Sequence, residues 1–138
     1  MLDRIFIALV IIILLLLLFK LFRARQLRRA QRASASLTPP NSSQILYFSS
    51  AVCPQCSGQE KILNQICESS EFQDVMLKKY SVDVTPELAE QWGVKTLPTT
   101  ILLSRSGTVK QVNNGLVSGA IMLSQLRELE VDNAGVTI

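Results

Sequence analysis

The sequence predicts an α/β domain, a sheet flanked by helices, preceded by one N-terminal transmembrane helix. Three observations carry this. Fifteen uninterrupted apolar residues run from Ile5 to Phe19. From Gln44 to Glu130, short apolar runs alternate with helical stripes in the order β-α-β-α-β-β-α. A Cys53-Pro54-Gln55-Cys56 motif falls where the first of those runs gives way to the first helical stripe. The chain divides accordingly into an anchor (residues 1–22), a basic juxtamembrane segment and linker (23–42), and a folded domain (43–138).

Charge follows the same division. Residues 1–40 hold seven basic groups and one acid, while residues 41–138 hold seven basic and ten acidic groups, so the parts carry +6 and −3. The overall +3 describes neither part and is no sign of a nucleic-acid partner. The 98 residues beyond Pro40 suffice for one small core. Three cysteines are too few for a disulfide-stapled miniprotein. The absence of histidine removes every mechanism that needs an imidazole base or metal ligand.

In the anchor, fourteen of the fifteen residues from Ile5 to Phe19 are Ile, Leu, Phe or Val. That makes insertion favourable by at most about 4 to 8 kcal/mol. Lys20-Leu21-Phe22 extends the run to eighteen because a terminal lysine can snorkel to the interface. At 1.5 Å per residue this spans roughly 27 Å, close to the hydrocarbon thickness. A cleaved signal peptide is the main alternative. Against it stand an n-region with only Arg4 and the terminal amine, and a run of arginines between the apolar core and the small residues at Ala33–Ser36.

One basic side chain precedes the span and six follow it, so the positive-inside rule places the domain in the cytoplasm, with an extracytoplasmic placement as the alternative. Arg25, Arg28, Arg29 and Arg32 fall at i, i+3, i+4 and i+7. On a continuing helix they form one face suited to anionic lipid headgroups; otherwise they are a topology signal alone. The following ASASLTPPNSSQ reads as a linker stiffened at Pro39-Pro40.

In the domain, Gln44 to Ser49 (QILYFS) reads as a buried strand. After Cys56, a helix puts Ile62, Leu63, Ile66 and Cys67 on one side. Cys53 then lies at a helix N-terminus, where unsatisfied N–H groups and the dipole favour thiolate over thiol, with Pro54 at the first helical position. Cys56, one turn on, can attack a mixed disulfide formed at Cys53. Cys67 lies too far along the helix to pair with Cys56 and reads as a small core hydrophobe.

Residues Val75–Leu77 and Tyr80–Val84 suggest a second strand region. Thr85-Pro86-Glu87 opens a helix that Gly93 closes. Thr99–Ser104 and Thr108–Asn113 form a hairpin about Arg105-Ser106-Gly107, and a last helix over Gly119–Glu130 turns Ile121, Met122, Leu126 and Leu129 inward. A CxxC is also half of a zinc site, but with only Cys67 left and no histidine the chain lacks four ligands, so no metal is expected outside an intermolecular site.

A strand, CxxC and helix, then Val82-Asp83, then Gly93-Val94-Lys95-Thr96-Leu97-Pro98-Thr99, then a hairpin and Gly115, together resemble the thioredoxin family over residues 43–131. The resemblance implies a mixed central sheet flanked by helices. It implies a cis proline at Pro98, set against the active-site disulfide, and a Leu97 backbone offered to the substrate. It also implies a groove completed at Asn114-Gly115, with Pro54, Gln55, Leu97, Pro98 and Gly115 as substrate-binding residues. Three features depart from the pattern. Cys-Pro-x-Cys is nearer to glutaredoxins, though no clear glutathione-binding signature accompanies it. Tyr47 stands where thioredoxins carry a buried acid, six residues before the first cysteine. The family's first strand and helix have no counterpart before Gln44.

The expected function is that of a membrane-tethered thiol–disulfide oxidoreductase acting on protein thiols and disulfides without a cofactor. Cys53 attacks and Cys56 resolves, in the reducing direction on the cytoplasmic side. The alternative is a thioredoxin-fold adaptor at the membrane, redox-inactive or sensing redox state.

Overall fold

The computed structural model describes residue 6 and residues 9–21, 24–25 and 42–135. In the domain, strands β1 (Gln44–Ser49), β2 (Met76–Ser81), β3 (Thr99–Leu103) and β4 (Val109–Asn114) alternate with helices α1 (Cys56–Glu68), α2 (Pro86–Gln91) and α3 (Gly119–Ala134) in the expected order. A short 3-10 turn, Ser70–Phe72, adds to it.

The strands form one sheet in the order β2-β1-β3-β4. The crossover through α1 makes β1 and β2 parallel, while β3 pairs antiparallel with both β1 and β4. The sheet is therefore mixed, as the resemblance implies. Its strands alternate side chains between two covered faces, which is why QILYFS is apolar throughout its middle. Ile45 and Tyr47 join Leu63, Ile66, Leu102, Met122, Leu126 and Leu129 in the core beneath α1 and α3. Leu46 and Phe48 point the other way, into a second core with Ala89, Trp92, Ile101, Leu103 and Val109.

Three expectations are corrected. The second strand covers Met76–Ser81, and Val82–Val84 form a turn, because pairing with β1 runs out at Ser49↔Ser81. Ile121 is 52% exposed. The inner stripe of α3 is Met122, Leu126 and Leu129, at i, i+4 and i+7, and Ile121 stands about 100° away from it. Helix α1 begins at Cys56, not at Pro54, and Gln55 is its N-cap.

Residues 9–21 are helical and every one of their side chains is exposed. Thirteen residues of helix reach only about 20 Å, and among the described residues no helix is long and apolar enough to cross a membrane. The ends of the expected 1–22 span lie outside the described residues, as do Arg28, Arg29, Arg32 and residues 26–41 of the linker. Arg25 is described, helical and exposed.

Candidate active site

The register of the sheet collects the predicted site residues at one end. Phe48 pairs with Thr99, Ser49 with Ser81, and Thr99 with Asn114. The loops that follow β1, follow β2, precede β3 and follow β4 therefore leave the sheet together, bringing the cysteine loop, Asp83, Pro98 and Gly115 to the same edge.

Cys53 and Cys56 form a disulfide, with Cα atoms 5.4 Å apart. Two turns build this segment. The Cys53 N–H donates to the Ser50 carbonyl at 3.2 Å, and the Cys56 N–H to the Cys53 carbonyl at 3.3 Å. The second turn carries the chain through Pro54 and Gln55, so the first helical bond runs from the Gln59 N–H to the Gln55 carbonyl, at 3.1 Å. That is why α1 starts later than the proline suggests. Cys53 reaches the start of the helix through its bond to Cys56, the first helical residue, and not through its own position in the helix. Cys53 is partly exposed, Pro54 and Gln55 are exposed, and Cys56 is buried at 4%.

The Leu97–Pro98 peptide bond is cis, with Leu97 partly exposed and Pro98 buried. Gly115 joins this loop by donating its N–H to the Pro98 carbonyl at 2.7 Å. It does so at φ 94°, a left-handed conformation that disfavours any side chain, although a Cβ there would meet nothing within 4 Å. Thr99 Oγ1 donates to the Thr96 carbonyl at 2.7 Å, closing the same loop from the strand side.

Three further residues build the site. Tyr47, fully buried in β1, donates its O–H to the Cys56 carbonyl at 2.7 Å. Burial, reinforced by the charge of Glu60, pushes its pKa up, so the phenol stays protonated. It supports the cysteine helix as a donor and does not serve as a base. Gln59 of α1 is fully buried and ties that helix to the loop after β4, its Oε1 accepting the Val117 N–H at 2.7 Å. Asp83 braces the loop before Cys53: Ser50 Oγ donates to both of its carboxylate oxygens at 2.9 Å, and the Ala51 N–H donates to Oδ2 at 2.9 Å. A polar residue on an apolar helix stripe is the signal for Gln59. For Asp83 it is an acid two residues past the end of a strand parallel to the one that delivers the cysteines.

The Ala51 N–H, and after it the Ser50 hydroxyl, hold the Asp83 carboxyl below the usual carboxylate range. A lowered folded-state pKa means that the stabilisation is present above the unfolded value of about 3.9 and is lost as pH falls through the lower folded one. Asp83→Asn is expected to lower stability at pH 7, with the gap to wild type narrowing as pH drops below about 4. Urea unfolding at pH 7 and pH 3 measures this, and a gap unchanged between them contradicts it.

Cys67 is partly buried against the first core, and burial pushes its thiol up, which keeps it uncharged at neutral pH. Among the described residues no three Cys, Asp or Glu side chains come together as a metal site.

The family model described as Thioredoxin matches residues 29–128. No curated protein sequence matches the chain. Among solved structures, the chain is similar to a malarial protein at 26% identity, with a TM-score of 0.58, covering 64% of this chain and 98% of that one. It is also similar to thioredoxin-2, a component of the malaria parasite protein secretion machinery, at 24% identity and a TM-score of 0.60, covering 67% and 88%. Thioredoxin from Trypanosoma brucei brucei matches at 24% identity and a TM-score of 0.57, covering 65% and 76%. The latter two likenesses carry the fold.

Proposed function

The chain belongs to the thioredoxin family and its CxxC disulfide makes it a thiol–disulfide oxidoreductase; from that premise we propose a membrane-tethered enzyme that reduces or exchanges disulfides in partner proteins. The observation that carries the assignment of roles is the unequal exposure of the two sulfur-bearing residues. Cys53 is open to a partner and attacks, while Cys56 is buried and acts only on the intermediate held next to it. Pro54 and Gln55, exposed between the two cysteines, meet the substrate beside the attacking residue, and Leu97, Pro98 and Gly115 supply the groove for the substrate strand.

The tether rests on helical residues 9–21. An apolar helix exposed on every side needs an apolar surrounding, and a bilayer supplies one. Arg25, Arg28, Arg29 and Arg32 then meet anionic headgroups, and the basic count sets the domain in the cytoplasm, where reduction is the favoured direction.

The full chain in detergent is expected to reduce the disulfides of insulin with dithiothreitol as the electron source; no rate above the dithiothreitol background defeats the enzymatic reading. In cells the protein should stay with membranes through alkaline carbonate extraction. Cys53 should react with an impermeant maleimide only after permeabilisation. Labelling of intact cells reverses the sidedness and with it the preference for reduction.

A further inference from the structure

Helix α1 carries a polar residue where its stripe calls for a hydrophobe. Cys56, Gln59, Leu63 and Ile66 are its buried residues, at i, i+3, i+7 and i+10. The Gln59 carboxamide has a defined orientation, because only its oxygen can accept the Val117 N–H. Its Nε2 is buried and has no hydrogen-bond partner. An amide donor buried this way is costly, and the bond that the oxygen makes to Val117 does not call for it. The partner such a donor serves must be internal, because the atom is sealed from solvent and from any substrate.

One turn before Gln59, on the same buried face, lies Cys56. A disulfide sulfur is a weak acceptor, but a thiolate is a strong, charged one. We propose that the Gln59 carboxamide, held by the Val117 amide, is the internal hydrogen-bond donor that stabilises Cys56 as a thiolate during the resolving step. This rests on the oxidoreductase reading and deepens it.

The Cys53 thiolate attacks a substrate disulfide R–S–S–R′, forming the Cys53–S–R mixed disulfide and releasing R′–S⁻. Cys56 gives its thiol proton to R′–S⁻, and its thiolate attacks Cys53 Sγ. The Cys53–Cys56 bond forms, the bond to R breaks, and R–S⁻ leaves. Two electrons have passed from the dithiol to the substrate. Gln59 acts on the short-lived Cys56 thiolate and takes no proton itself.

Few other groups set the protonation of Cys56. Tyr47 of β1 donates to its carbonyl. Glu60, on the next turn of α1, is paired with Lys79 of β2 at 2.7 Å. Asp83 is bound to Ser50 and Ala51, and Cys53 is the partner sulfur. The Gly115–Ser118 segment on the remaining side holds no ionisable side chain.

Two measurements test this on the full chain in detergent micelles, with Cys67→Ser to leave a single dithiol. In the reduced protein, the Gln59 side-chain amide resonances should shift with pH at the Cys56 midpoint. Resonances that ignore that titration overturn the proposal without any variant having to fold. In stopped flow with an aromatic disulfide reagent, the first thiolate released reports attack by Cys53 and the second reports closure by Cys56. Gln59→Met should leave the first phase near wild type. It should slow the second about tenfold at pH 7 and move its pH midpoint up by about one to two units. An unmoved midpoint, or equal slowing of both phases, overturns the role of Gln59. Absence of the second phase in wild type overturns the oxidoreductase reading instead.

Discussion

Cys53→Ser is expected to abolish disulfide reduction, and Cys56→Ser to halt it one step later, at a mixed disulfide. The two residues lie three positions apart but in different surroundings: Cys53 is partly exposed in the loop braced by Asp83, and Cys56 is buried at the first position of α1. On the proposed assignment Cys53 alone meets a partner's disulfide, so its loss removes the attacking sulfur and turnover should fall about a thousandfold or more. Without Cys56 the attack still proceeds, but nothing displaces the bound partner, and covalent complexes accumulate. Cys67→Ser is the control, since that thiol is partly buried and held uncharged; turnover should stay near wild type. Non-reducing gels of cell extracts and insulin reduction read both effects. Equal trapping by the Cys53 and Cys56 variants contradicts the assignment of roles.

The residues that made this site legible are those whose local rules have no competitor. The Cys-Pro-x-Cys after an apolar strand, the Leu-Pro-Thr before another, and a glycine at a strand end each state a backbone requirement in sequence. Thr85-Pro86 and the Ser106-Gly107 turn fixed a helix start and a hairpin in the same way. What sequence could not supply was decided by contacts that exist only in the folded chain. Where α1 begins depends on a turn closed between Cys56 and Cys53. Ile121 looked inward because it borders the stripe of Met122, Leu126 and Leu129, and which flank of that stripe faces solvent is settled only by how α3 docks on the sheet. Asp83 braces a loop some thirty residues earlier. Tyr47 registered in sequence as part of a buried strand and as a missing acid, whereas in the fold its hydroxyl supports the helix that begins at Cys56.

Leu63→Ala is expected to destabilise the domain by about 2 to 5 kcal/mol, a large share of the roughly 5 to 15 that a domain of this size commands. Leu63 is fully buried where α1 meets the sheet and α3, packed in one cluster with Ile45, Tyr47, Leu102, Met122 and Leu126. Truncation removes three methyl or methylene carbons' worth of burial and leaves a cavity that a sheet on one side and a helix on the other cannot close by small shifts. The melting temperature should fall by about 10 °C or more. Ile121→Ala removes a side chain of the same size from a half-exposed site on α3, and its cost should stay below about 1 kcal/mol. Urea unfolding of both variants, with an unchanged m-value, makes the comparison. A smaller loss for Leu63→Ala than for Ile121→Ala would mean that α1 does not seat on the sheet as described. The support of Cys56 by Tyr47 and Gln59 would then have no fixed platform, because all three depend on the face of α1 that Leu63 holds down.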